Sequence, residues 1–163
     1  MRIRPLEKED LEQIHYLNNL RSVMSYWFEE PYASYGELLN LYNKYLGAET
    51  ERRFVIEVDN KFAGVIELVE ISNIHRNCEI QIAILPEYQG NGYAKEAMIK
   101  GIEYAFDFLN MNKLYLYVDV NNEKAVHIYQ DLGFKIEGTM INQFFSNGKY
   151  KDSHFMGLFR NNM

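Results

Sequence analysis

Several scarcities frame this chain. Cysteine occurs once, at Cys78, so no internal disulfide framework can form and no cluster of thiolate metal ligands is available. Proline occurs 3 times and glycine 10 times in 163 residues, so no flexible linker divides the chain. Its length suits one domain, residues 1–163, with one sizeable core. No apolar run is long enough to cross a bilayer, and no charged-then-apolar leader precedes Arg2-Ile3-Arg4-Pro5. A cytoplasmic setting with no membrane partner is therefore expected. Internal repeats and low-complexity tracts are missing as well. So is any basic excess: the net charge is -6. Residues 1–90 hold 15 acidic and 9 basic side chains, whereas residues 91–163 hold 8 of each. An acidic front half argues against nucleic acid and suits a cationic partner or a metal ion. Ordinary solubility is the plainer reading of the charge taken alone.

What is present is the profile of a globular protein, 47% hydrophobic and 25% charged. A strand is expected over Met1–Leu6. A helix follows from Glu7 to Ser22, with Leu11, Ile14 and Leu17 as its buried stripe. Tyr26-Trp27-Phe28-Glu29-Glu30-Pro31-Tyr32 reads as an aromatic loop. Ser34 with Glu37 is a capping-box pattern opening a helix to about Leu46. Arg52–Val58 and Ala63–Ile71 are strands joined by a hairpin at Asp59-Asn60-Lys61, and Cys78–Leu85 is a third. A helix marked by Ala97, Met98, Gly101, Ile102 and Ala105 runs to about Asn110. Then come a strand at Lys113–Val118, a helix at Asn122–Leu132 ended by Gly133, and closing strands at Phe134–Thr139 and Phe155–Phe159, with a turn at Asn147-Gly148 between them. This order predicts an α+β fold, a mixed and mostly antiparallel sheet flanked by helices.

The most specific motif is Gln89-Gly90-Asn91-Gly92-Tyr93-Ala94, directly after a strand and directly before a helix. A helix N-terminus offers unpaired N–H groups and the positive end of the dipole. Glycines let the backbone approach a ligand closely, so the pair forms a pyrophosphate cradle. A lone Gly-x-Gly is usually a mere turn; the strand, the Gln, the Ala and the helix around this one raise its weight. The segment resembles the Q/R-x-x-G-x-G/A signature with which GCN5-related N-acetyltransferases (GNAT) hold coenzyme A, although Glu87 stands at its first position.

That resemblance implies a GNAT fold with acetyl-CoA as cosubstrate. It implies that Ile82, Ala83 and Ile84 splay from the neighbouring strand at a bulge, where the pantetheine arm pairs with them. Backbone amides from Gln89 through Gly90, Asn91, Gly92, Tyr93, Ala94 and Lys95 would take the pyrophosphate. A second stretch, Asn121 to Phe134, resembles the family's N-x-x-A-x-x-x-Y-x-x-x-G-F motif. It places Asn122, Lys124, Ala125 and Asp131 beside the coenzyme and Tyr129 near the thioester sulfur, where a phenol can protonate the leaving thiolate. Without the motif, one of 13 tyrosines on a helix would be read as packing. His127 is expected to be structural or at the surface.

Nearly the whole chain is similar to spermidine N-acetyltransferases, most specifically at Met24-Ser25-Tyr26-Trp27-Phe28-Glu29-Glu30-Pro31-Tyr32, Glu51-Arg52-Arg53-Phe54 and Glu67-Leu68-Val69-Glu70-Ile71. A polyamine such as spermidine or spermine needs spaced carboxylates and apolar walls, and the front half supplies both. The resemblance implies that Asn18, Met24, Glu29, Glu37, Glu51 and Glu70 contact polyamine. Glu29 and Glu70 would also bind Mg²⁺ or Ca²⁺ as hard oxygen ligands. It further implies regulation by polyamine between subunits of a homo-oligomer, a dodecamer. Taken singly, each glutamate reads as a solvated face. Glu67 and Glu70 differ in parity on one strand, which predicts opposite sides of the sheet. Glu79, Gln81 and Ala83 share one strand face. A carboxylate there is costly without a purpose, so Glu79 is read as holding the acceptor amine or relaying its proton, with Gln81 beside it. Two other readings remain: a protein N-terminal or antibiotic N-acetyltransferase, and a non-catalytic sensor of acyl-CoA or polyamine.

Overall fold

The computed structural model describes residues 1–27 and 29–162. Phe28, part of the expected aromatic loop, lies outside them. The order is β1 (Arg2–Pro5), a 3-10 turn, α1 (Leu11–Asn18), α2 (Arg21–Trp27), α3 (Tyr35–Tyr45), β2 (Arg52–Val58), β3 (Lys61–Ser72) and β4 (Asn77–Ile84). Then follow α4 (Tyr93–Glu103), continued by a π-helical turn (Tyr104–Phe108), β5 (Lys113–Asp119), α5 (Glu123–Asp131), β6 (Lys135–Ser146) and β7 (Lys149–Phe159). The strands form one seven-stranded sheet ordered β1-β2-β3-β4-β5-β7-β6. Every pairing is antiparallel except β4 with β5. The expected mixed, mostly antiparallel α+β architecture is the one observed.

Helices cover both faces of the sheet, so its middle strands are buried on both sides. On β3, Ile66 and Leu68 pack with Met98 and Ile102 of α4, while Val65 on the other face packs with Leu11, Ile14 and Leu17 of α1 and Val23 of α2. A fully buried Leu or Ile stabilises the fold by about 1.5–3 kcal/mol, so these two clusters fix which helix lies on which face. A Cβ on Gly101 would sit 2.6 Å from Ile66 Cδ1, so glycine lets α4 lie this close to β3 without displacing the Ile66 side chain.

Two expected boundaries move. The helix expected over Glu7–Ser22 breaks after Asn18, because Asn19 turns its side-chain amide back to the His15 carbonyl at 2.7 Å and caps α1. The chain then re-enters helix as α2, so Tyr26 and Trp27 are helical rather than loop. The closing strands are also longer than expected. They extend to an Asn147-Gly148 turn with φ of 52° and 77°, the positive pair that a two-residue hairpin favours. A shift of register between Met140 and Phe144 hides the alternation that would have revealed this part of β6.

Two irregularities shape the functional region. β4 and β5 pair only at Asn77–Lys113, Cys78–Leu114 and Glu79–Tyr115, and then part. The β3–β4 register runs without a shift from Gly64–Ile84 to Val69–Glu79. The expected bulge at Ile82–Ile84 is therefore not what opens the sheet; β4 simply leaves its parallel neighbour. The bulge lies instead on β3 between Val69 and Ser72, where Glu70 has φ of 52°.

Candidate active site

The divergence of β4 from β5 opens a cavity of about 970 Å³. Ile80 to Ile84 form one wall and Leu116, Tyr117 and Val118 the other. Gln89, Gly90, Gly92, Ala94 and Lys95 close one end, with Asn122, Lys124, Ala125, Ile128 and Tyr129 from α5 facing them. Ser22, Val23, Tyr26 and Trp27 of α2, with Glu29 and Glu79, line the other end, joined by Gln143 and Phe144 of β6.

The cradle end is built from backbone. Gly90 and Gly92 hold φ of 81° and 82°, and a Cβ on either would meet nothing within 4 Å, so both face open space. Gly92 occupies the N-cap of α4 without a side-chain cap, which leaves the first-turn amides of Tyr93, Ala94 and Lys95 for a ligand. Gln89 anchors the loop through its Nε2, donated to the Ile84 carbonyl at 3.0 Å. Lys95 brings a cation to the rim and bridges α4 to α5 by pairing with Asp131 at 3.1 Å. Asn122 caps α5, accepting the Ala125 N–H at 3.3 Å, and this cap sets the direction of the helix that carries Tyr129. Tyr129 packs edge-on to Phe134 with centroids 6.1 Å apart. Burial pushes its hydroxyl up to about 12, so the phenol keeps its proton at neutral pH.

The opposite end is built from side chains. Trp27 donates its indole N–H to Gln81 Oε1 at 3.0 Å, and Gln81 donates Nε2 to Glu79 Oε1 at 2.8 Å. Burial raises the Glu79 pKa; the Gln81 hydrogen bond lowers it, and the charges of Glu70 and Glu29 raise it again. Burial likewise raises Glu29, with Arg53 opposing. The cavity thus joins a phosphate cradle, a protonated phenol and a carboxylate-lined, aromatic end.

Residues 1–135 match the acetyltransferase (GNAT) domain family. The chain belongs to the GNAT acetyltransferases. It is 51% identical over 160 residues to the spermidine N(1)-acetyltransferase of Escherichia coli (strain K12), across 98% of this chain and 86% of that protein. It superposes with a TM-score of 0.96 and 48% identity on spermidine N-acetyltransferase from Vibrio cholerae in complex with CoA and spermine, over 99% of this chain and 96% of that one. A further structure of the Vibrio cholerae enzyme, in complex with manganese ions, gives 0.87 and 48% over 97% and 91%.

Of the residues expected at the coenzyme site, Ile82, Ala83, Ile84, Gln89, Gly90, Gly92, Ala94, Lys95, Asn122, Lys124, Ala125 and Tyr129 line the acetyltransferase cavity. Three side chains do not. Asn91 turns back on the carbonyls of Tyr88 and Gln89, Tyr93 packs against the core and Tyr88, and Asp131 is spent on Lys95. His127 is exposed, as expected.

Of the residues expected to bind polyamine, Glu29, Glu79 and Gln81 line the cavity. The rest lie off it. Met24 is 2% exposed, because its face of α2 turns to the core. Glu37 closes the α3 capping box through the Ser34 N–H at 2.7 Å. Glu51 pairs with Arg53 at 2.7 Å, and Asn18 has a buried Oδ1 without a hydrogen-bond partner. Glu70 sits exposed on the β3 bulge. The bulge also breaks the expected parity. Leu68 and Ile71 fall in one core cluster although they stand three positions apart, so Glu70 shares the side of Val69 and acts on Glu79. Glu67, on the same side, is instead acted on by Arg53, Glu29 and Glu51. Among the described residues no group of three or more His, Cys, Asp or Glu side chains stands at metal-ligand spacing. Glu29 and Glu70 by themselves supply too few oxygen ligands to complete a divalent-ion shell.

Sequence reasoning missed Trp27 as a hydrogen-bonding wall, the tyrosine and valine side chains of β5, and Phe144. It also gave no role to the largely buried Glu67, 3.5 Å from Arg53. Burial pushes Glu67 to about 7, Arg53 opposing and Glu29 and Glu51 reinforcing. Cys78 is buried, and burial pushes its thiol up to about 12, which leaves it inert.

Proposed function

We propose that this protein transfers the acetyl group of acetyl-CoA to a primary amine of spermidine or spermine, with residues 1–163 acting as one catalytic unit. The observation that carries this reading is the single cavity between β4 and β5. It has a backbone cradle for phosphates at one end and the Trp27, Glu29 and Glu79 wall at the other. The near-complete likeness to a spermidine N-acetyltransferase crystallised with CoA and spermine supports it.

The chemistry follows from the groups present. The acceptor is an ammonium with a pKa of about 10.4, so freeing its lone pair at about pH 7.5 costs about 4 kcal/mol. Glu79 holds this cation at the wall and receives its proton, directly or through water. The free amine attacks the carbonyl carbon, the carbon–sulfur bond breaks, and a second nitrogen proton must leave as the amide forms. Tyr129 donates a hydrogen bond to the departing sulfur. With its phenol near 12 and a thiol near 8.5, leaving a bare phenolate would be uphill by about 5 kcal/mol. Tyr129 therefore gives its proton to sulfur as it regains one from nitrogen, and ends the turnover unchanged.

Asn18, Glu37, Glu51 and Glu70 lie off the cavity, and we assign them to a regulatory polyamine site between subunits of a homododecamer, to which the buried Met24 contributes only through the packing of α2. Exposed Ile141, Phe145 and Tyr150 on the β6–β7 hairpin support association of copies. The manganese complex of the relative supports divalent-ion binding by this chain, and we assign that binding to Glu29 and Glu70, with water or a neighbouring subunit needed to complete the shell. A cytoplasmic setting agrees with the finding that no described helix is long and apolar enough to cross a membrane.

The test is release of coenzyme A thiol from acetyl-CoA with spermidine, spermine or an N-terminal peptide, for wild type and Tyr129→Phe. Release should depend on polyamine and fall by about 10²-fold or more in the variant, at an unchanged KM for acetyl-CoA. Release with the peptide alone would overturn the acceptor assignment.

A further inference from the structure

Trp27 stands at the C-terminal end of α2 and Gln81 in the middle of β4, 54 positions further along the chain. Their hydrogen bond continues through the Gln81 amide to Glu79, two residues back on the same strand. The direction of this line is set by chemistry. An indole N–H donates and never accepts. Only the oxygen of Gln81 can face Trp27, so the NH₂ group must face Glu79. A carboxyl oxygen that receives this N–H is held as an acceptor.

We infer that Trp27 is a positioning residue for the transfer reaction: by fixing the orientation of the Gln81 amide, it keeps Glu79 an acceptor, ready to take the proton of the amine. The inference rests on the reading of Glu79 given above. Without the indole N–H, the amide is free to turn over and present its oxygen to Glu79, a contact satisfied only by the protonated acid.

The surroundings of Glu79 make this restraint matter. Glu70 faces it from the β3 bulge, Glu29 from beyond α2, Tyr115 and Tyr117 from β5, and Cys78 precedes it on β4. Burial and the two carboxylates all favour the protonated acid, and the hydrogen bond from Gln81 opposes them. A shift of α2 that parted Trp27 from Gln81 would tilt this balance. The position of a helix that lines the acceptor end is thereby tied to the proton state of the group that serves the acceptor.

The experiment is the pH profile of kcat/KM for spermidine between pH 5.5 and 9, for wild type, Trp27→Phe, Gln81→Leu and Glu79→Gln. It is paired with a carbon NMR titration of the Glu79 carboxyl in the first three proteins. Trp27→Phe keeps an aromatic ring and removes only the donor. Both Trp27→Phe and Gln81→Leu should move the acidic limb, and the Glu79 titration with it, upward by at least about half a pH unit. At pH 6 this reads as about a threefold loss beyond any loss at pH 8.5, with the KM for acetyl-CoA unchanged. A Glu79 titration that stays at its wild-type position in both variants would overturn the inference, whatever happens to the rate. Wild-type turnover by Glu79→Gln would instead overturn the role of Glu79, and the titration would still decide whether Trp27 orients Gln81.

Discussion

The two ends of the cavity are made by different means. The coenzyme end uses backbone: two glycines with positive φ, an uncapped helix start and a strand edge exposed where β4 leaves β5. The acceptor end uses side chains gathered from α2, the segment just after it, β4 and β6. Backbone features are encoded locally, within a few residues of one another. Side-chain constellations depend on where distant segments meet. The first kind tolerates surface change and resists any change in φ; the second can be retuned one residue at a time.

The difference explains what could be read from the sequence. The Gln89 to Ala94 segment and the Asn122 to Tyr129 segment each declare their geometry within a dozen residues, and nine of their fourteen residues line the cavity. The succession of strands and helices along the chain and the buried helix faces follow from apolar spacing; the order of strands in the sheet does not. At the acceptor end, one αL residue at Glu70 reverses the side to which a carboxylate points, and no spacing rule anticipates it. Asn19 splits one expected helix into two and thereby carries Trp27 to Gln81. Both effects are tertiary outcomes of a single polar residue in a special conformation, so periodicity passes over them.

The largest effect that would sharpen the contrast comes from Glu67. Its side chain is 12% exposed, and its carboxyl is raised from 4.5 to about 7. Between these values the folded chain holds a proton that the unfolded chain has lost. Stability is therefore full below about pH 4.5, declines as pH rises toward 7, and stays lower above. Glu67→Gln should flatten this decline and stabilise the protein at pH 8 by at most about 3 kcal/mol, because Arg53 retains Glu51. Thermal melts from pH 4.5 to 8 decide it. A variant with an unchanged slope would mean that the acceptor end holds Glu67 ionised, with its charge fully matched.

A smaller effect tests the backbone end. Gly92→Ala adds a methyl that meets nothing within 4 Å, so its penalty is conformational, at φ of 82°. A residue with a Cβ pays about 1–2 kcal/mol there, so the N-cap relaxes and its amides turn from the ligand. Calorimetry should find acetyl-CoA binding weaker by about tenfold and spermine binding unchanged. Equal weakening of both ligands would show that the two ends do not act separately.

The smallest expected effect separates structure from recognition at Glu37. Its carboxylate accepts the Ser34 N–H at 2.7 Å, and Ser34 Oγ accepts the Glu37 N–H at 3.2 Å. Glutamine serves this position of a capping box as well as glutamate, because its amide oxygen accepts the same bond. Glu37→Gln therefore keeps the cap and removes only the charge, so the melting temperature should stay within about 1 °C of wild type at pH 7.5. If the carboxylate also meets a polyamine ammonium at the regulatory site, half-saturation by spermine should rise by about threefold, the share of one partly screened charge-assisted contact. Ser34→Ala supplies the converse: it removes the cap and spares the charge, lowering the melting temperature by a few degrees with spermine half-saturation unchanged. Identical behaviour of the two variants would mean that α3 contributes to polyamine response only by being folded.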